Sequence, residues 1–388
     1  MYGCGGIATV TGIMVAQFTG KNDWKQINKS FSMNMNIAIA LAILFTILTC
    51  TISSNIMGVY TSDQNVIAAG SQYLKVMSFY FVPLAIGNIV STMLRCMGKN
   101  IEPMIIGVGA GIVNVILDWI TIFGKFGVKP MGVQGAAIAT VGSQILACIV
   151  MIVMLLVEYH HKGRKLEFTL KTSSKELMTF LAILMPVIMD SVFWSVGDNV
   201  HTFIYNHIST SDYTALATTG SAAQIMSGLL SGFSVAAGIV VGQLIGNEDY
   251  EGVRKAGKKL CIISVVAGVI ISAVLIALRA PYVNIYNIDE DVKQKTMQFL
   301  LVLYLYIPAR AINITMLTGV LRSGGRTKYS MYIGIICTWL VGIPIALVSG
   351  FVFHLSLIWV YTLQSLEEVA RCIAAYFLFK SDKWIQKC

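Results

Sequence analysis

Apolar runs of about twenty residues, the length that carries one helix across a bilayer, recur from end to end of the chain. They predict spans near 1–19, 32–54, 68–94, 103–123, 131–157, 177–205, 214–245, 259–279, 295–320, 330–350 and 356–379. The polar segments between them are short, except for one basic stretch from His160 to Lys175. The pattern predicts an all-α polytopic membrane protein.

The pattern also repeats. GIMVAQFTGKNDWKQINK, from Gly12 to Lys29, returns as GIVVGQLIGNEDYEGVRK from Gly238 to Lys255, an offset of 226 residues that places Asp23 on Asp249 and Trp24 on Tyr250. Tyr60, Asp63 and Val66 fall on Tyr286, Asp289 and Val292 at the same offset, and Leu94-Arg95 on Leu321-Arg322 with a slip of one. A duplication of this kind predicts two pseudo-symmetric six-helix lobes in a parallel repeat, with function at the level of the pair. The expected organisation is an N-lobe over 1–158, a basic linker over 159–175 and a C-lobe over 176–388. The span at 177–205 has its repeat partner upstream of Met1, so eleven of twelve spans are expected here. The N-lobe then lacks its first helix, through truncation; a true start at Met1 would instead make the chain an inactive pseudotransporter.

Composition changes the picture little, because 56% hydrophobic against 12% charged residues already suits a membrane domain. Charge placement adds orientation. Twenty Lys and Arg fall on one side of the predicted spans and five on the other, which puts the richer side and the C-terminus in the cytoplasm of a multi-pass plasma-membrane protein. That bias accounts for the formal charge of +9 without any nucleic-acid partner. The eight cysteines include no CxxC pair and read as packing thiols. No clustered His, Asp or Glu motif points to an enzyme, and no cofactor is expected.

Polar residues inside spans need partners or a purpose. Asn114 and Asp118 are one helical turn apart and share a face, and Gly107 and Gly111 extend that face as a ridge for a close neighbour. Asp118 lies roughly 9 Å from the outer end of its span and Thr140 roughly 13 Å along the returning one, counted at 1.5 Å per residue. A carboxylate, an amide and a hydroxyl at similar depth are hard oxygen ligands for Na⁺, or a carboxylate able to carry H⁺. In the second half Asp190, Trp194, Gly197, Asp198 and His201 form one polar and aromatic face suited to an organic cation. Asp190 paired with Arg310 for structural reasons is the competing reading. Asn88, Gln144, Asn199 and Gln224 are weaker cavity candidates, and Glu367, Glu368 and Arg371 are expected to satisfy one another. Pro83, Pro186 and Pro308 interrupt spans and are hinge candidates.

LRCMGKNIEPM, NVILDWITIFG and MGVQGAAIATVGSQ between Leu94 and Gln144, together with LRSGGRTKYSM from Leu321 to Met331, resemble the multidrug and toxin extrusion (MATE) family of cation-coupled exporters. The resemblance implies a V-shaped pair of six-helix bundles and alternating access. It also implies H⁺- or Na⁺-coupled antiport of amphipathic organic cations, by a protein expected to be monomeric. It implies that Asn114, Asp118 and Thr140 line an N-lobe cation site, to which a further Asp on the first helix contributes. The sequence departs from relatives that carry a C-lobe acid where Arg310-Ala311 stand. A lipid-linked oligosaccharide flippase of the related superfamily is the alternative, and it would need a strongly cationic cavity.

Overall fold

The computed structural model describes residues 2–169 and 173–386, with side chains from residue 5 onward. Lys171, Lys387, Cys388 and the Cys4 thiol lie outside the described residues. The chain divides into two compact units, Met1–Leu177 and Met178–Cys388. Apart from one isolated antiparallel bridge, Gly325 to Ile385, the regular structure among the described residues is helical. Among the described residues eight helices are long and apolar enough to cross a membrane, nine when one bent pair is taken as a single span. Helices also stand at the other two predicted spans, 1–19 and 356–379. The second consists of two shorter helices that meet at Ser365, and it carries Glu367, Glu368 and Arg371.

In the first unit α1 (Tyr2–Gly20) packs between α2 (Trp24–Tyr60) and α4 (Phe81–Cys96), burying Val10, Val15 and Ala16 completely. The turn into α2 places Asn22 at φ 54°, and the Asp23 carboxylate caps the helix by accepting from Gln26 N at 3.1 Å. α3 (Gln64–Met77) passes through a single 3₁₀ turn, Ser78–Tyr80, into α4, whose third residue is Pro83. α5 (Ile101–Phe123) packs mainly on α6 (Val133–His161), and Ile105, Val108, Ile112 and Val115 point outward as a surface for lipid. The close approach of these two helices is made by Gly135, whose missing side chain admits the backbone of Thr121; Thr121 Oγ1 donates to Gly135 O at 2.9 Å. The expected ridge at Gly107 and Gly111 meets nothing within 4 Å. The contact forms on the glycine of the returning helix instead.

Beyond α6 the linker lies along α2 in extended form. Asn28, Ser32 and Asn36, at one-turn intervals, hold it: Asn28 Nδ2 donates to Lys165 O (3.2 Å), Thr169 N to Ser32 Oγ (3.2 Å) and Asn36 Nδ2 to Thr169 O (3.1 Å). Tyr159 OH donates to Asn28 Oδ1 at 2.6 Å.

The second unit repeats these devices. α7 (Ser174–Ile208) runs unbroken through Pro186, and α8 (Thr210–Thr218) meets α9 (Gly220–Gly246) at a break at Thr219 inside the predicted span 214–245. Glu248 takes φ 61°, and Asp249 caps α10 (Tyr250–Asn284) by accepting from Gly252 N at 2.8 Å. α11 (Glu290–Leu305) and α12 (Ile307–Asn313) are parts of one span bent by 43°, with Pro308 second in α12. Gly98 and Gly325 both have positive φ, 89° and 81°, in the turns that follow Leu94-Arg95 and Leu321-Arg322. From Ile314 the copy diverges. A π-helical stretch, Ile314–Leu321, precedes α13 (Thr327–Ile336), and two more, Cys337–Gly342 and Val348–Val352, flank α14 (Ile343–Leu347). α15 (Leu357–Gln364) and α16 (Leu366–Lys380) follow, and residues 381–386 fold back onto the unit. There Gln386 N donates to Gly324 O at 2.7 Å, Asp382 pairs with Arg254, and Trp384 is fully buried against Phe379.

Candidate functional site

Two polar interiors stand out, one in each unit. In the first, Asn114 and Asp118 share a face of α5, and Asn114 Nδ2 lies 3.4 Å from Thr140 Oγ1 on α6. That distance is long for a hydrogen bond. Thr140 places its own proton on Ala136 O (2.9 Å), so its lone pairs remain available. Asp118 Oδ1 is buried and has no hydrogen-bond partner. An amide oxygen, a hydroxyl and an unshared carboxylate oxygen thus come from adjacent turns of two packed helices, a donor set for a hard cation or a proton. Asn88 and Gln144 are half-buried where α4 meets α6, the Gln144 amide lying against Gly87, and they form no cluster with Asp118.

In the second unit a cavity of about 380 Å³ opens among α7, α8, α12, α15 and α16. Trp194, Asp198 and His201 line it from α7, and Arg310 from α12. Asp190 does not. It pairs with Arg322 rather than with Arg310, which corrects the expected Asp190–Arg310 pair. Arg322 sits at the end of its helix, counted among the flanking charges, but its long side chain reaches inward and is only 12% exposed. Arg310 Nε instead donates to Glu368 Oε1 at 2.9 Å, and Asn313 Nδ2 donates to Glu368 Oε2 at 2.7 Å. Glu367 pairs with Arg371 one turn on and accepts from Thr338 Oγ1 (2.9 Å) and Gln364 Nε2 (3.0 Å). The two α16 carboxylates were therefore only half legible: Glu367 does find Arg371, while Glu368 turns to α12. Arg310 is not the lone interior cation, since Arg371 and Arg322 are also largely buried.

Gly197 packs directly on Thr338, where any side chain would collide. Asn199 is exposed and donates to Ser195 O of its own helix (2.7 Å), and Gln224 is exposed, so neither joins the cavity wall. His201 is 9% exposed, stacks on Tyr205 with ring centroids 6.0 Å apart, and leaves Nε2 buried without a partner. Sequence reading paired the α16 charges with one another but did not place them on a cavity wall. The signal was present in three ionisable residues within five positions of an apolar span.

A family sequence model described as MatE matches residues 3–120 and 186–348. The chain belongs to the MATE family. As a member it is a multi-pass membrane transporter and not an enzyme. A probable multidrug resistance protein NorM of Thermotoga maritima is 25% identical over 378 residues, covering 97% of this chain and 80% of that protein. An uncharacterized transporter, YisQ, of Bacillus subtilis is 23% identical over 392 residues, 98% of this chain and 83% of that one. Solved MATE structures share the fold. An outward-facing multidrug resistance MATE transporter of the MOP superfamily superposes with a TM-score of 0.87 at 15% identity, over 98% of this chain and 85% of that chain. A MOP superfamily transporter from Pyrococcus furiosus, described as having a binding pocket of reverse polarity, gives 0.86 at 15% identity with the same coverage. The MatE match includes Asn114, Asp118 and the polar face of α7 but ends before α16.

Proposed function

We propose that this MATE protein is an H⁺- or Na⁺-coupled antiporter that exports amphipathic organic cations by alternating access. The observation that carries the reading is the buried, unpartnered Asp118 oxygen one turn from the Asn114–Thr140 contact. A buried polar atom without a partner costs free energy that an arriving ion or proton relieves. The long Asn114–Thr140 bond is cheap to exchange for that ligand. Coupling then requires that the ion favour one conformation over the other, since equal affinity for both shifts nothing.

Trp194 and Asp198 are the proposed substrate contacts, an aromatic face and a carboxylate on one wall of a cavity that suits a small ligand. Each cavity guanidinium is already matched to a carboxylate, Arg310 to Glu368 and Arg371 to Glu367. That leaves no free cation for a pyrophosphate and disfavours the flippase alternative. The names of relatives as multidrug resistance proteins support export of drugs or similar metabolites. The charge bias of the loops supports a cytoplasmic C-terminus.

The test is efflux of a fluorescent amphipathic cation from proteoliposomes under an imposed gradient. Asp118→Asn is expected to abolish coupled efflux with protein yield unchanged, and unaltered efflux would remove Asp118 from the mechanism. Replacing Na⁺ by K⁺ at fixed pH then separates the two coupling ions.

A further inference from the structure

The end of the first unit where α1 turns into α2 carries cations that the unit does not neutralise. That turn reads Lys21-Asn22-Asp23-Trp24-Lys25, two lysines against one aspartate. Its repeat in the second unit reads Asn247-Glu248-Asp249-Tyr250-Glu251, three carboxylates and no cation. Trp24 is fixed in its turn by two contacts: its Nε1 donates to Asn22 Oδ1 at 2.9 Å, and Tyr159 of α6 meets its ring edge-on with centroids 5.8 Å apart. α6 then ends so as to bring two more cations back over the same indole. Lys162 is its C-cap, Gly163 takes φ 60°, and Arg164 N donates to Tyr159 O at 2.9 Å, a left-handed close that satisfies the last carbonyls of the helix. Lys162 Nζ lies 5.7 Å and the Arg164 guanidinium 5.5 Å from the centre of the Trp24 ring.

The acids at this corner do not match these charges. Lys162 and Lys99 share Glu158, at 3.5 and 3.4 Å, and Glu102 lies beside Lys99. Arg164, Lys21 and Lys25 have no ion pair among the described residues. Five cations thus stand against Asp23, Glu102 and Glu158, a surplus of two positive charges around one indole. Like charges drawn to one ring repel each other, and an anion beside them removes that cost. Near the matching turn of the second unit, Arg254 already has Asp382 and Lys255 has Glu251. An apolar surface reaches the cationic corner as well: Ile101 and Met104 in the first turn of α5, and Val153, Leu156 and Val157 in the last turns of α6, are all exposed.

We infer that this corner binds an anionic diacyl phospholipid, its phosphate received by Arg164 and Lys162 beside Trp24 and its acyl chains lying on the outward faces of α5 and α6. A guanidinium presents a fork of donors to phosphate oxygens, and an indole suits the level of the headgroups. In the orientation proposed above, this end faces the cytoplasmic leaflet, whose anionic lipids attract clustered Lys and Arg. The site requires neither the coupling ion nor the exported substrate.

Native mass spectrometry of the purified full chain in a neutral detergent, titrated with dioleoyl phosphatidylglycerol, reads the affinity of the first lipid bound. Wild type is expected to prefer that lipid to dioleoyl phosphatidylcholine by about tenfold. Arg164→Gln alone should lose part of the preference, and Arg164→Gln with Lys162→Gln nearly all of it, with an unchanged gel-filtration profile as the folding control. Arg254→Gln with Lys255→Gln, which removes the same charge from the second unit, should keep the preference. Equal affinity of wild type for the two lipids overturns the inference, and so does a first-unit double variant that retains the preference. An equal loss in the second-unit variant also overturns it, because binding then follows net charge and not this corner. Glycerol 3-phosphate at the same concentrations should not compete; if it displaces the lipid, the corner takes a soluble phosphate and the lipid assignment fails. No readout here involves a gradient, so each failure leaves the antiporter reading intact.

Discussion

The two units are copies in their turns and strangers in their interiors. Asn22 and Glu248 adopt the same left-handed backbone, Asp23 and Asp249 cap the next helix in the same way, and Gly98 and Gly325 close matching turns. Inside, the first unit has a single carboxylate beside two neutral oxygens, and the second has two ion pairs around a cavity. At the repeat offset Asn114 falls on Leu340 and Asp118 on Pro344, within a span whose turns have loosened into π-helix. Arg322 finds Asp190, whereas its counterpart Arg95 has no ion pair among the described residues. Duplication has preserved the cap and turn chemistry that builds each bundle. The polar groups that give each bundle its chemistry have been placed separately in each copy.

The largest effect should come from removing one member of an interior pair. Glu367 is 7% exposed and Arg371 15%. Arg371→Met leaves the carboxylate uncompensated, which is expected to destabilise the protein by about 3–5 kcal/mol, whereas Glu367→Gln with Arg371→Met together should recover most of that loss. In the first unit Asp118→Asn removes a group that has no partner to strand, so its melting temperature in detergent should match wild type even as coupling is lost. A stability loss in Asp118→Asn as large as that of Arg371→Met would erase the distinction between the two interiors. The C-terminal segment gives an effect of similar size by another route. Trp384 is fully buried, and Trp384→Ala should cost about 3–5 kcal/mol through cavity formation.

What the sequence made legible follows the same division. Gly-Lys-Asn-Asp-Trp and Gly-Asn-Glu-Asp-Tyr announce a helix stop, a left-handed turn and a cap, because each step depends on neighbouring residues only. Asn114, Asp118 and Thr140 could be brought to one depth by counting residues from a shared loop, a short-range argument across a hairpin. The partner of Asp190 could not be found that way. Arg322 is 132 positions distant, and charge counting assigns it to the flank, although its side chain turns inward. Glu368 reads within its helix as a neighbour of Arg371, yet bonding to Arg310 depends on how α12 and α16 pack. The break at Thr219 has no proline beside it, so only packing reveals it, whereas Pro344 stands in the helix that directly follows the π-helical stretch Cys337–Gly342.

A smaller test addresses the shared scaffold. Asp23→Ala and Asp249→Ala each remove one N-cap in equivalent turns, and each should cost about 1 kcal/mol. Far apart in sequence and with no common partner, the two losses should add in the double variant. Measured by chemical denaturation in detergent, a large loss for one and none for the other would show that the copies no longer use the turn alike.

The smallest effect lies at a loop where the copies differ. Lys99 contacts Glu158 Oε2 at 3.4 Å, and that carboxylate, through hydrogen bonding and charge, raises the lysine above its ordinary value, with Glu102 adding to the shift. At the repeat offset the place of Glu158 is taken by Trp384, so the first unit closes this end with charge where the second uses an indole. A lysine whose folded pKa is raised contributes stability that is fully present below its unfolded value near 10.5 and is lost as pH rises through the folded value. Because Lys99 is solvent-exposed, the expected change is a slight downward shift in melting temperature between pH 9 and pH 11.5. That increment should be absent in Glu158→Gln, measured against the wild-type pH profile, and unchanged in Trp384→Phe. If Glu158→Gln leaves the alkaline profile as it was, charge does not hold this end of the first unit.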